Sequence, residues 1–208
     1  MAPDNSLFWY NHCANTCRMT MFQENKLDLK QGRLLVSEPF MTDNYFRRAV
    51  VVLAELNEKG SVGFILNKPV EMFVHEVIPD FPLTEHRIHF GGPVQRDQLF
   101  YIHTLGDKIA NSIPIAQGLW WLGDFEQVRK MVEKKEIGQK EIRFFIGYSG
   151  WEAGQLEKEM DKKSWFVSKI NRDLVFDGDT KNLWGSAVKS LGKEFQHMVN
   201  FPEDPALN

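Results

Sequence analysis

From Gly32 onward, short apolar runs alternate with clusters of turn-forming residues, and the runs set the order of the elements. Leu34-Leu35-Val36 reads as a strand, closed by Pro39 and the polar cluster Thr42-Asp43-Asn44. Residues 49–56 are apolar at every position but Glu55 and β-branched at Val50, Val51 and Val52, which predicts a strand buried on both faces. Asn57-Glu58-Lys59-Gly60 supplies turn chemistry before a second strand over 62–66, so this stretch predicts a hairpin. A short helix is expected over 72–78, stopped by Pro79. Strands follow at 88–90, 99–103, 113–116 and 119–122, the first ending at Gly91-Gly92-Pro93.

The best helical pattern covers 124–137. Asp124 and Gln127 have capping-box spacing, Phe125, Val128, Met131 and Val132 form an apolar stripe, and Gly138 sits where a C-cap belongs. A strand over 142–146 is expected to leave the sheet through a tight turn at 147–151. A short helix over 154–160 and a strand over 165–167 come next. Leu183, Ala187, Leu191 and Phe195 then mark one face of a C-terminal helix capped by Asp179 or Thr180. Strands lead and helices come late, which predicts an α+β fold. Its core is a compact, mainly antiparallel or mixed β-sheet with a few flanking helices. Residues 1–26 lack periodicity and read as a poorly ordered N-terminal extension to a single domain over 27–208, with Met19 and Met21 as alternative starts.

Composition narrows the function classes. The 208 residues carry a net charge of -3, so a surface given over to nucleic acid, which needs concentrated Lys and Arg, is not expected. There are two cysteines, Cys13 and Cys17, and no run is apolar and long enough for a membrane helix. No signal peptide is visible, so the expected location is cytoplasmic, with no membrane association.

Four segments together resemble the YqgE/AlgH family. They are Gly32-Arg33-Leu34-Leu35-Val36-Ser37-Glu38-Pro39 with Phe46-Arg47-Arg48-Ala49-Val50; Gly63-Phe64-Ile65-Leu66-Asn67-Lys68-Pro69; Phe90-Gly91-Gly92-Pro93-Val94; and Phe145-Ile146-Gly147-Tyr148-Ser149-Gly150-Trp151, which runs into Gly154-Gln155-Leu156-Glu157. The resemblance implies an α+β domain with a sheet core and a role as a transcriptional regulator. It brings no reaction and no cofactor with it. The family pattern has Ala where this chain has Ser149.

No complete catalytic constellation is present, and the chain is expected not to be an enzyme. A nucleophile elbow around Ser149 fails because its fifth position is Trp151, which leaves a structural or capping role for the serine, with Glu152 completing a capping box. His86, His89 and His103 with Asp97 match no zinc spacing and are read as histidines on a wet surface; Cys13, Cys17 and His12 likewise make no metal site. Trp120, Trp121, Trp151 and Trp165 are read first as core. The candidate ligand residues are Arg47, Asn67, Gly91, Gly92, Tyr148, Gly150 and Trp151. Arg47, Arg48 and Asn67 converging on the diglycine loop would make an anion pocket.

Two functions follow, beside a third and plainer one, a scaffold that packs into a homo-oligomer. The first is a regulatory protein acting through an unknown protein or small-molecule partner, with direct DNA binding disfavoured. The second is a small-anion binder or enzyme that uses Gly91-Gly92 and residues 147–151. Cofactor and metal are expected to be none, and the sequence does not fix the oligomeric state.

Overall fold

Period-two alternation sorts the strands onto two faces. In β1 (Arg33–Ser37), Leu34 and Val36 join the central core while Leu35 points the other way. In β2 (Val50–Asn57), Val50, Val52 and Ala54 face the centre, and Val51 and Leu53 face out to a second cluster. The strand is buried on both sides up to Ala54, which is why 49–54 shows no polar alternation, and Glu55 comes where burial becomes partial. The computed structural model describes residues 27–176 and 179–202. The expectations for residues 1–26, Cys13 and Cys17 among them, lie outside these.

Eight strands form an antiparallel path in the order β10, β1, β2, β3, β9, β6, β8, β7. Here β3 is Gly60–Ile65, β6 Val94–His103, β7 Ile113–Ala116, β8 Leu119–Trp121, β9 Ile142–Glu152 and β10 Trp165–Lys169. Off this path, β4 (Pro69–Phe73) pairs with β5 (Arg87–Phe90), and β5 runs parallel to β9. The sheet is therefore mixed, and the fold is α+β. The sheet curls so that its β7 end returns to the start of β1, where Gln31 Nε2 donates to the Pro114 carbonyl at 2.7 Å.

β9 is the axis of the molecule. Its first half lies between β5 and β6, and its second half pairs with β3 at Gly60–Gly63. The predicted exit at 147–151 does not occur; the strand continues to Glu152. Gly147 makes the change of neighbour possible. Its φ is +67°, and a Cβ there would stand 2.5 Å from the Gly92 carbonyl oxygen. Gly92 and Gly91 are the other side of the same close approach, each with space for a hydrogen only.

The helices depart from the sequence reading mostly at their ends. The 72–78 stretch is strand β4 followed by one turn, α1 (Val74–Val77), because β5 claims the backbone up to Phe73. α2 (Phe125–Glu133) starts as expected, with Asp124 Oδ1 accepting the Gln127 N–H at 3.1 Å. It ends earlier than predicted. Lys135 takes the left-handed position at φ 59°, its N–H reaching Val132 O while the Glu136 N–H reaches Met131 O, so Gly138 is not the cap. α3 is Gln155–Asp161 and α4, unforeseen, is Arg172–Phe176. α5 (Leu183–Leu191) stops at Gly192, and residues 193–200 continue as a 3-10 turn. Asn182 is its N-cap; Asp179 lies before it, its carboxylate accepting the Asn182 backbone N–H at 3.3 Å and Nδ2 at 2.8 Å.

Three apolar clusters result. α5 covers the central one with Leu183, Trp184, Ala187 and Val188 against Phe64, Phe145 and Phe166. α2 covers a second with Val128 and Val132 against Phe144 and Tyr101. α3 covers the third, where Glu159 Oε2 accepts both indole N–H groups of Trp151 (3.0 Å) and Trp165 (2.8 Å). Trp121, Trp151 and Trp165 are buried, as core packing predicts. Among the described residues no helix is long and apolar enough to cross a membrane.

Candidate functional site

The β2 and β3 ends, the turn before β2 and the start of α5 meet along one side of the molecule. Asp43 Oδ1 accepts the Tyr45 N–H at 2.7 Å and sets that turn. Asn67 fastens it to the sheet: Oδ1 accepts the Val50 N–H at 2.9 Å and Nδ2 donates to the Arg48 carbonyl at 2.8 Å. The Asn67 amide is thus used on backbone, and its contribution to the site is to hold Arg47 and Arg48 in place. Arg48 has φ 47°, lies 4.6 Å over the Trp184 ring and donates to the Phe201 carbonyl.

This framework encloses a groove of about 500 Å³ whose charged lining among the described residues is Arg47, Arg48, Lys68, Lys181 and Lys189, with no carboxylate among them. None of these five cations carries an ion pair among the described residues. The first turn of α5, through Asn182, Gly185 and Ser186, forms another wall. The positive end of the helix dipole adds to the field there. Lys68 donates to the Asn44 carbonyl at 2.9 Å. Burial holds its pKa below the usual lysine value; Asp43 opposes that shift and Arg47 adds to it.

A second cleft, about 470 Å³, opens on the other side of Thr180 and Lys181, which line both cavities. Four buried polar residues contribute to it: His86 and His89, 7% and 8% exposed, Arg143, 6% exposed, and Thr180. Arg143 sits on β9 and donates to the Leu66 carbonyl at 3.0 Å. Nδ1 of His89 and Nε2 of His86 are shielded from water and make no hydrogen bond of normal geometry, although backbone groups of Phe144 and Arg87 act on the His89 ring and that of Gly138 on His86. Burial pushes the His89 pKa down to about 3, with Arg143 pushing the same way. Burial lowers that of His86 too, so both imidazoles are neutral at pH 7. Arg87, Lys140 and Lys181 complete a positive rim. Glu71, the one carboxylate of the lining among the described residues, lies 3.3 Å from Arg87.

The seven residues singled out from the sequence do not meet at one place. Arg47 and Asn67 line the basic groove. Gly91 and Gly92 are buried under β9, where Gly91 donates to Ile146 O and its own carbonyl accepts from Ile65 N. That backbone is already paired, which argues against the diglycine as an anion nest. Tyr148, Gly150 and Trp151 border a third depression, about 390 Å³, together with Glu55, Lys59 and Glu152. As a strand, 147–151 is no loop on which a site can be built.

Ser149 is fully buried and donates to the Gly91 carbonyl at 3.0 Å, a hydrogen bond between β9 and the diglycine segment rather than a helix cap. The wet-surface reading of the histidines is corrected: His86, His89 and His103 are all buried. His103 and Asp97 do not line the cleft that His86 and His89 share, and among the described residues no three His, Cys, Asp or Glu side chains converge as a metal set. A serine the sequence did not flag, Ser112, lies 3.1 Å from His103 Nε2. The pair is not a nucleophile and base. His103 Nδ1 accepts the Leu105 N–H, which leaves Nε2 as the protonated nitrogen facing the Leu122 carbonyl.

Comparison with known proteins gives a consistent answer. The AlgH-like family model matches residues 34–196. A UPF0301 protein of Chlorobium limicola is 42% identical over 185 residues, covering 88% of this chain and 99% of that protein. One of Bacteroides thetaiotaomicron is 41% identical over 187 residues, covering 89% and 95%. The solution structure of AlgH from Pseudomonas aeruginosa superposes with a TM-score of 0.67 at 27% identity, covering 88% of this chain and 98% of that one. The crystal structure of DIP2367 from Corynebacterium diphtheriae shares the fold, with a TM-score of 0.73 at 21% identity over 86% and 95%.

Proposed function

The chain belongs to the YqgE/AlgH family, and we propose that it is a non-catalytic regulatory protein that docks an acidic segment of a protein partner in the basic groove. The regulatory part comes from the family resemblance. The docking part rests on one observation: Arg47, Arg48, Lys68, Lys181 and Lys189 line a single groove in which no carboxylate stands among the described residues. Like charges are gathered at a cost in repulsion, and an anionic occupant relieves it. The serines offer no support for catalysis, since Ser149 is hydrogen-bonded to backbone and Ser112 faces the wrong imidazole nitrogen.

An acidic peptide fits better than a duplex. A duplex presents phosphates over a long footprint, and the chain as a whole is negative at -3, so phosphates beyond the groove meet repulsion. A short acidic segment places its charge in the groove alone. The test measures fluorescence anisotropy at physiological salt with a Glu-rich peptide and, separately, a labelled promoter duplex. The peptide is expected to bind in the micromolar range, and Arg47→Ala is expected to weaken it about tenfold, as for loss of one charge-assisted contact. No peptide binding, or tighter and sequence-selective binding of the duplex, overturns the reading.

A further inference from the structure

We propose that the cleft holding His86, His89 and Arg143 is a binding site for a small phosphomonoester, separate from the groove that docks the partner. Three observations carry this. The first is charge: among the described residues of the lining, Arg87, Lys140 and Lys181 outnumber the carboxylate Glu71, which is itself close to Arg87. A cationic ligand is repelled by that field, and a doubly charged phosphate is drawn to it.

The second is the pair of histidines. Each is more than nine-tenths buried in the wall of the cleft, and each leaves one ring nitrogen without a hydrogen bond of normal geometry. Buried polar atoms left unpaired cost stability, and a fold retains them where a partner arrives from outside. Thr84 Oγ1, 2.5 Å from His86 Nδ1, fixes that ring from behind. His89 packs against Phe145, with ring centroids 6.0 Å apart. A small turn of either ring toward the cleft gives a phosphate oxygen a neutral donor, which the cations at the rim then reinforce.

The third is the remaining lining. Pro69, Ile142 and Phe176 are apolar, and about 470 Å³ is more room than a phosphate group needs. The ligand therefore carries an organic body on its phosphate.

This inference does not depend on the peptide reading, since Arg47, Arg48, Lys68 and Lys189 line the groove and not the cleft. The full chain is titrated with phenyl phosphate by calorimetry at pH 7, and the imidazole resonances of His86 and His89 are followed by NMR. Binding in the submillimolar range is expected, with shifts at both rings. His89→Phe, which keeps a packed aromatic ring, should weaken binding about tenfold, and the surface change Lys140→Ala about threefold, while Arg47→Ala changes it less than about twofold. The Lys140 variant serves if His89→Phe does not fold. No binding up to roughly 10 mM overturns the proposal, as does loss of binding in Arg47→Ala with none in Lys140→Ala.

Discussion

At the level of single residues, His89 shows how the site and the fold oppose one another. Its ring is 8% exposed, Nδ1 makes no hydrogen bond of normal geometry, and burial beside Arg143 holds its pKa near 3 against 6.5 in the unfolded chain. The folded state therefore takes up fewer protons than the unfolded state between these values. For such a group the stability is fully present above about pH 6.5 and is lost as the pH falls towards 3, by up to ~1.4 kcal/mol for each unit. His86 is shifted in the same direction by burial. His89→Phe removes both the unpaired nitrogen and the titration. It is expected to be about 1–3 kcal/mol more stable at pH 7 and to lose less stability between pH 6.5 and 4.5. Urea denaturation of both proteins at several pH values checks this, and parallel curves would refute it. The sequence could flag the histidines but not their burial. His86 and His89 flank and enter a four-residue strand whose depth is set by its parallel pairing with β9, more than fifty positions away.

At the level of elements, glycine meant two different things in one chain. Gly60 closes the hairpin where the turn signal places it, and Gly154 is the N-cap of α3. Gly147 has the same local look, in Gly-Tyr-Ser-Gly-Trp, yet sits inside the longest strand of the sheet. What distinguishes it is a nonlocal approach: the carbonyls of Gly92 and Val94 stand 2.5 and 2.8 Å from where its Cβ would be. That contact exists only once β5, β6 and β9 have come together, so no turn rule reads it from a window of five residues. The α2 C-terminus failed in the opposite sense. A glycine was available at 138, but the left-handed residue is Lys135, because the apolar stripe ends with Val132. Gly147→Ala follows from this. It places a side chain at φ +67° against backbone oxygen that cannot retreat, and is expected to cost at least ~3 kcal/mol. Gly154→Ala has an open surrounding at φ +73° and should cost only ~1 kcal/mol. Equal losses in thermal denaturation would show that the close approach at Gly147 does not matter.

For the molecule as a whole, the fold was largely legible and the site was not. Apolar alternation in β1, β2, β3 and β9 is a local property that survives into the sheet, so strand order aside, the α+β core could be read. The groove draws its cations from residues 47–68 and 181–189, which are joined only by the docking of α5 on the central cluster. Sequence saw Arg47 and Asn67 but had no reason to add Lys181 or Lys189. The same docking gives the two cavities a common wall at Thr180 and Lys181, and this makes Lys181 the one cation through which they can interfere. A phosphate in the cleft draws the Lys181 ammonium towards itself and weakens the field in the groove, so the two ligands should oppose each other. Lys181→Ala is exposed and should leave stability within about 0.5 kcal/mol. It is expected to weaken both the acidic peptide and phenyl phosphate about threefold, whereas Arg47→Ala acts on the peptide alone and His89→Phe on the phosphate alone. Saturating phenyl phosphate should in turn raise the peptide Kd of the natural chain about threefold, and should not do so in Lys181→Ala. Because binding couplings are reciprocal, peptide must also weaken phosphate by the same factor. A Lys181→Ala protein that still shows the full antagonism would move the coupling off this residue and onto the sheet that carries both walls.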